Sequence, residues 1–390
     1  MYKKTISHLT FEELTIKFKR NKTNYYVQLN FNKKDLLMKK FCAFLLTSIL
    51  LSSSAFANKN IEWNLAMDWK TTDTPMASTS FRVAQLVKEM TNERFIIKIN
   101  GREKHNSKVS ILKLIQDERY QIGHTNSSQY KDLDLNMIWF TSTPLGMTTK
   151  EQNAWLYQGN GQKYMTKVFS KFGILSFPGG DLGTLNGGWS NKNIQNIQDF
   201  KNLTLNTYGI ESELLMMHGA TIKQIPLSQI QDKFEKGELD LIHGISPSID
   251  RKMGYHKIAS YFYTGWDRPA SQMQFIVNQN SFEKLSKHYQ NILKIAMKIA
   301  SFELYYENYY ANSEALRKIL LEYPNIKIKS FSQEIISELK KTKKLIFTQY
   351  SKENLLFKEI YDDQTKFLEN IRKWSKLEEN SYLNSVGQIE

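Results

Sequence analysis

The sequence predicts an α/β fold divided between two lobes, and three observations carry that prediction. Strand-like and helix-like segments alternate regularly through 61–125 and again through 171–244. After Asn278 the composition turns almost wholly helical to the end. With 390 residues, 41% of them hydrophobic, and a mean hydropathy of -0.49, the chain is long enough to fill two cores and too apolar to be globally disordered.

The first alternating stretch opens with IEWNLAMDW (61–69), an aromatic-rich strand pattern. TPMASTSFRVAQLVKEM (74–90) follows, with Pro75 at its start and Phe81, Val83, Ala84, Val87 and Met90 at a helical spacing. RFIIKIN (94–100) reads as a strand, VSILKLIQDE (109–118) as a helix and RYQIGHT (119–125) as a strand. The second stretch repeats the pattern: KFGILSFPGG (171–180), LTLNTYG (203–209), TIKQIPL (221–227) and ELDLIHG (238–244) are strands. Helices at ESELLMMHGA (211–220) and SQIQDKFEKG (228–237) separate them. Such alternation implies largely parallel sheets, with ligands at the carboxyl ends of the strands and hence in the cleft between lobes. The segment 281–323 is long enough for one long helix or a broken pair. The expected division is 58–180 with about 270–310 as the first lobe, and 181–269 with about 311–390 as the second.

MKKFCAFLLTSILLSSSAFA (38–57) has the layout of a secretory signal. Met38 is followed by Lys39 and Lys40, an apolar run, and then Ala55-Phe56-Ala57. Cleavage is expected after Ala57, so the mature protein is expected to be exported; the run is too short to span a membrane. Residues 1–37 read as an over-extended N-terminus, or else as an unusually long n-region. The full chain carries 53 Lys and Arg against 39 Asp and Glu; ten basic and three acidic residues precede Asn58, leaving 43 against 36. That balance does not call for nucleic acid as a partner, and the cluster Lys340, Lys341, Lys343 and Lys344 reads as a solvated helix face. The one cysteine, Cys42, lies in the signal segment, so disulfides, thiol catalysis and Cys-based zinc sites are excluded from the mature chain.

Enzyme chemistry finds little support. GISPS (244–248) matches only the first half of G-x-S-x-G, and Pro247 follows its serine. His105, His124, His218, His243, His256 and His288 form no H-E-x-x-H or other close ligand pair. The glycines of FPGGDLGTLNGGW (177–189) fit no phosphate-binding pattern and read as turns and close backbone approaches. No cofactor is called for.

Beginning at GMTTKEQNAWLYQGNGQ (146–162), the sequence resembles the periplasmic solute-binding proteins of tripartite ATP-independent periplasmic (TRAP) transporters, in the branch that binds 2-oxo acids and lactate. GHTNSSQY (123–130), FGILSFPGGDLGTLNGGW (172–189), IQDFKNLTLNTYG (197–209), YFYTGWDRP (261–269) and RKWSKLEENSYL (372–383) carry the same resemblance. It implies a two-lobed, type II-like periplasmic binding protein with hinge strands, a long lobe-crossing helix and a helical C-terminal tail. It also implies closure around a small organic acid and delivery of that solute to a TRAP membrane permease. Other readings are an interaction partner of a membrane sensor and, more remotely, an exported hydrolase.

The same resemblance marks departures in the pocket. Relatives place a carboxylate-binding arginine where this chain has Asn206, and a metal-holding Glu-Trp pair and glutamine at His243-Gly244 and Leu185. Two aromatic positions fall on Ser128 and Gln129, and Trp-His-Glu-Pro becomes Trp266-Asp267-Arg268-Pro269. An asparagine cannot fork onto a carboxylate as arginine does, and a leucine gives a hard cation nothing to bind. The expectation is therefore no metal. The expected solute contacts are Trp69 and Asn126 from the first lobe, with Trp189, Asn206, His243 and Arg268 from the second lobe or hinge. Arg268 is the candidate replacement cation, aided by His243 when protonated below its usual pKa of about 6.5.

Overall fold

A computed structural model describes residues 9–10, 13–20, 23–30 and 60–387, apart from 74, 106–107, 208 and 267. The N-terminal unit holds a three-stranded antiparallel sheet, in which Glu13–Arg20 pairs along its whole length with Thr23–Asn30 and Leu9–Thr10 flanks it. The signal segment 38–57 lies outside the described residues.

Residues 60–390 form a separate unit built on two sheets. The first has five strands in the order Phe95–Asn100, Ile61–Met67, Ile122–Thr125, Gln272–Asn278, Ile174–Asp181. The second has six, in the order Thr221–Ile222, Thr204–Asn206, Leu241–Ile242, Gly188–Ser190, Tyr261–Tyr263, Lys327–Lys329. Both are mixed, not largely parallel. Gln272–Asn278 runs antiparallel to both neighbours, and Gly188–Ser190 does the same in the second sheet. The reason is the crossing: the chain leaves the first lobe through Ile174–Asp181 and returns through Gln272–Asn278, with Gln272 opposite Asp181, so the returning strand enters from the opposite end. Local β-α-β units impose parallel pairing only on their own strands.

The helix Met76–Met90 buries Ala77, Thr79, Ser80, Val83, Leu86 and Val87. Phe81 is 46% exposed, because a position two residues before Val83 lies about 200° round the helix from it. TIKQIPL pairs only at Thr221–Ile222; Lys223 N still reaches the Leu205 carbonyl at 2.9 Å, but Pro226 has no N–H to continue.

The segment 281–323 resolves into a short helix, Gln279–Glu283, and a 36-residue helix, Lys287–Glu322. The long helix starts at Ser286, whose hydroxyl accepts from Tyr289 N. Leu293, Ala296, Met297 and Ala300 fill the first lobe's core, whereas Ile319 belongs to the second lobe's. At 1.5 Å per residue the helix spans about 54 Å, so it serves both lobes. Between these contacts, Asn308 Nδ2 donates to the Leu182 carbonyl and Asn312 Oδ1 accepts from Ser248, which anchors the helix where the chain crosses.

The tail departs from its expected lobe. Ile335 and Leu339 of the helix Gln333–Glu353 pack in the second lobe, but Phe347 joins the first lobe's core. Asn354 caps the next helix, Leu355–Leu377, by accepting from Phe357 N at 3.0 Å. Phe357 and Ile360 then pack around Trp139, so this helix lies on the first lobe. Aromatic bulk at the turn, not sequence order, decides which lobe takes it. No helix of the described residues is long and apolar enough to cross a membrane.

Candidate functional site

The first lobe's wall is built at the carboxyl ends of two parallel strands. Met67 pairs with His124 in the ladder, so the following residues, Asp68-Trp69 and Thr125-Asn126, emerge side by side. His124 is fully buried and hydrogen-bonded at both nitrogens: Nε2 lies 2.8 Å from the Gly179 carbonyl and Nδ1 2.8 Å from Ser80 Oγ. A carbonyl only accepts, so Nε2 carries the proton and Nδ1 accepts from the serine. Burial pushes the imidazole down to about 3, which keeps it neutral. Its ring stacks on Phe275 and supports the edge of Trp69, with centroids 4.2 Å and 4.6 Å away. The Trp69 Nε1–H is buried and has no acceptor among the described residues.

Beside it, Thr125 Oγ1 and Gln129 Nε2 donate to the Asp68 carboxylate, and the Tyr130 hydroxyl lies 2.6 Å from Thr125 Oγ1. Burial raises the Asp68 carboxyl, against the lowering effect of those two donors and of Arg102 and His105. Gln129, at a position where the resemblance placed an aromatic, thus supplies a donor to a carboxylate. Asn126 Oδ1 accepts from Ser128 N, Ser128 Oγ and Thr141 Oγ1 at 2.7–2.9 Å, leaving its amide nitrogen as the group it can offer a ligand.

The second lobe's wall centres on the turn after Leu241–Ile242. Ile242 pairs with Asn206 on one side and Trp189 on the other, which brings His243 beside Thr207; His243 Nδ1 lies 2.8 Å from Thr207 Oγ1. Arg268 Nη2 donates to the Gly244 carbonyl at 2.9 Å, and the Arg268 carbonyl accepts from Leu185 N at 3.0 Å. The turn is locked from below by Asp250, which accepts from Asn186 Nδ2 (2.6 Å), Trp189 Nε1 (2.8 Å) and Ile245 N (3.0 Å). A Cβ on Gly244 would overlap the Asn186 carboxamide oxygen, so only glycine lets these groups close.

Two of the expected contacts take other roles. Trp189 has no exposed surface; it packs on Phe262 in the second lobe's core, and its N–H is held by Asp250. Gly188, at φ +121 and close against the Ile242 carbonyl, lets the strands approach and draws the indole inside. Asn206 is 7% exposed and its oxygen accepts from Ile225 N at 3.1 Å. Trp69 and Asn126 sit together on one wall, and His243 and Arg268 on the other.

Between the walls lies an apolar cluster drawn from both lobes and the crossing strands: Leu182, Leu185, Ile249, Met273 and Leu304, with Trp69 and Ile245 packed against it. At its edge Asp181, paired with Gln272 where the chain crosses, accepts from Gly183 N (2.8 Å) and Ser271 N (2.9 Å). Burial pushes the Asp181 carboxyl up to about 6 against these hydrogen bonds. Sequence reasoning missed Asp68, Asp181, Asn186 and Asp250. Each is a single polar residue with no partner in its local pattern; Asp181 and Asn186 fell inside FGILSFPGGDLGTLNGGW, whereas Asp68 and Asp250 fell in none of the stretches that carry the resemblance.

Two mixed sheets joined by crossing strands, with polar strand ends of both lobes around a shared apolar cluster, define a two-lobed solute-binding protein. Residues 65–353 match the family model DctP, bacterial extracellular solute-binding protein, family 7, and the chain belongs to that family. A monocarboxylate 2-oxoacid-binding periplasmic protein of Nostoc sp. is 30% identical over 333 residues, covering 85% of this chain and 90% of the relative. The crystal structure of a TRAP periplasmic solute-binding protein from Colwellia psychrerythraea with bound calcium and pyruvate superposes with a TM-score of 0.81 at 34% identity. It covers 84% of this chain and 100% of that one. A counterpart from Pseudoalteromonas atlantica with bound sodium and pyruvate has a TM-score of 0.79 at 35% identity, covering 84% and 99%. This chain is likewise a TRAP-type periplasmic solute-binding protein.

The donors at the expected metal position do not fit a hard cation. Leu185 offers a buried isobutyl group, Gly244 offers no side chain, His243 is turned to Thr207, and the Asn206 oxygen already accepts from the backbone. Calcium takes six to eight oxygen ligands. Among the described residues there is no group of three or more His, Cys, Asp or Glu that could hold a metal ion.

Proposed function

We propose that the chain captures a small 2-oxo monocarboxylate between its lobes, without a bridging metal and without catalysis, and delivers it to a TRAP membrane permease. On this reading the chain is exported to the periplasm and its signal is cleaved after Ala57. The relatives that bind pyruvate cover 84% of the chain, and that likeness carries the solute class. Trp69 supports it: a buried N–H with no acceptor is a costly group to leave unpaired, and a carboxylate or keto oxygen relieves it. Asn126 adds an amide donor from the same wall, and Arg268 with His243 supplies the facing wall. Ligand bridging the two walls favours the closed arrangement, because it contacts both lobes only there.

A thermal-shift screen of residues 58–390 against monocarboxylic and dicarboxylic acids, sugars, amino acids and polyols tests the solute class. A true ligand at about 100 times its Kd adds about 2.7 kcal/mol of stability. The expected result is stabilisation by pyruvate and its close 2-oxo analogues. Stabilisation by a sugar or polyol with none by any monocarboxylate would overturn the reading.

A further inference from the structure

We propose that the groove between the helices Gln333–Glu353 and Leu355–Leu377 is a second binding site, for a small anion carrying at least two negative charges on a flat apolar body. The cavity measures about 610 Å³, within the range of small-molecule pockets. Trp139, Leu145, Tyr361 and Leu368 give it an apolar floor. Lys340, Lys343 and Lys344 line it from one helix and Arg372, Lys373 and Lys376 from the other; Glu369 is the one carboxylate among the lining residues.

The charge in this groove is not balanced internally. Arg372 is committed to Glu151 and the Gly146 carbonyl. Among the described residues, the five lysines lie within ion-pair distance of no carboxylate; Lys341, which does pair with Glu338, is outside the groove. Lys343 sits 4.9 Å over the Phe347 ring, and burial together with the Arg372 charge holds its ammonium far below the usual lysine range, at about 7. Neighbouring like charges on each helix repel one another. An anion relieves that repulsion, and its field restores the proton on Lys343.

A second observation points the same way. Trp139 is 1% exposed and its Nε1–H, buried, has no acceptor among the described residues. The half-buried Tyr361, which lines the groove, stacks on that ring, centroids 6.0 Å apart and planes 21° from parallel, so Tyr361 is the aromatic surface that adjoins the cations. A flat body covers that surface while its charged ends reach the lysines. The Lys340–Lys344 cluster is therefore more than a solvated face. The match to the family model ends at residue 353, and the second wall, Leu355–Leu377, follows it.

Calorimetric titration of the full chain with naphthalene-1,5-disulfonate tests this, with neutral 1-naphthol and inorganic pyrophosphate as comparisons. The expected result is one disulfonate per chain, at least tenfold tighter than either comparison. Lys343→Gln and Lys373→Gln should each weaken it at least fivefold, while Lys341→Gln leaves it unchanged. Unaltered melting temperatures of the three variants separate lost binding from lost folding. Trp139→Phe keeps the stacking surface and should weaken binding through the lost N–H. Absence of binding at millimolar disulfonate, binding indifferent to both groove lysines, or equal affinity for 1-naphthol or pyrophosphate overturns the proposal.

Discussion

The indole of Trp69 stands edge-on to the imidazole of His124, centroids 4.6 Å apart and planes at 85°. The imidazole cannot move, because Gly179 and Ser80 hold its two nitrogens from opposite sides. A neutral ring held in this way orients Trp69, whose buried N–H has no acceptor among the described residues, and on the proposed reading it is a prearranged donor for the solute.

Replacing Trp69 by phenylalanine keeps an aromatic ring against His124 but removes the donor. Pyruvate affinity should fall about tenfold or more, equivalent to about 1.4 kcal/mol, while the free protein's melting temperature changes little. Calorimetry that found the affinity unchanged would remove Trp69 from the site.

His124 should stay neutral far into acid. Its folded pKa lies at about 3, below the ordinary 6.5, so the unfolded chain takes up the proton first. Its contribution to stability is complete above about 6.5 and is lost as pH falls from there toward 3. NMR of the ring should show no titration between pH 8 and 4.5; a midpoint above 5 contradicts the buried, doubly bonded geometry.

Asp181 behaves in the opposite sense to an ion-paired carboxylate. Its folded pKa, about 6, exceeds the ordinary 3.8, so the folded state holds the proton longer. Its contribution is most favourable below about 3.8 and declines as pH rises through 6, by up to about 3 kcal/mol. Urea unfolding should show Asp181→Asn gaining on the wild type between pH 4 and 7. A difference that does not vary with pH counts against a proton held where the strands cross.

Arg372 joins two motifs far apart in sequence. It forks onto Glu151, with Nε 2.8 Å from Oε1, and also reaches the Gly146 carbonyl at 2.7 Å. Glu151 closes a capping box with Thr148. Burial opposes ionisation of Glu151, but the Arg372 and Thr148 bonds outweigh it and hold the carboxyl below its usual range. Arg372→Ala should cost about 1–3 kcal/mol, discounted because the arginine is itself half exposed. A loss under about 0.5 kcal/mol in urea unfolding would show that packing alone secures the helix Leu355–Leu377.

The alternating pattern made both lobes legible, because each local β-α unit writes its period into its own residues. Strand direction across the crossing was not legible, since Asp181 and Gln272 meet only through a connection of ninety residues. Nor was the placement of Leu355–Leu377, which depends on Phe347, Phe357 and Trp139 finding one another. Trp69, Asn126, His243 and Arg268, named from strand ends and motif positions, lie on the two facing walls, and their contact with a solute is part of the proposal. Trp189 misled because burial beside glycines looks the same in sequence as exposure in a glycine-rich turn. Asp250 was invisible because a lone aspartate gives no sign that three donors converge on it.

Capture of a 2-oxo acid without a metal is tested most directly by titrating pyruvate into chelator-treated protein, then repeating the titration with added calcium or sodium. Equal affinity in all three conditions is the predicted result. Binding that disappears with the chelator and returns with either cation would contradict it.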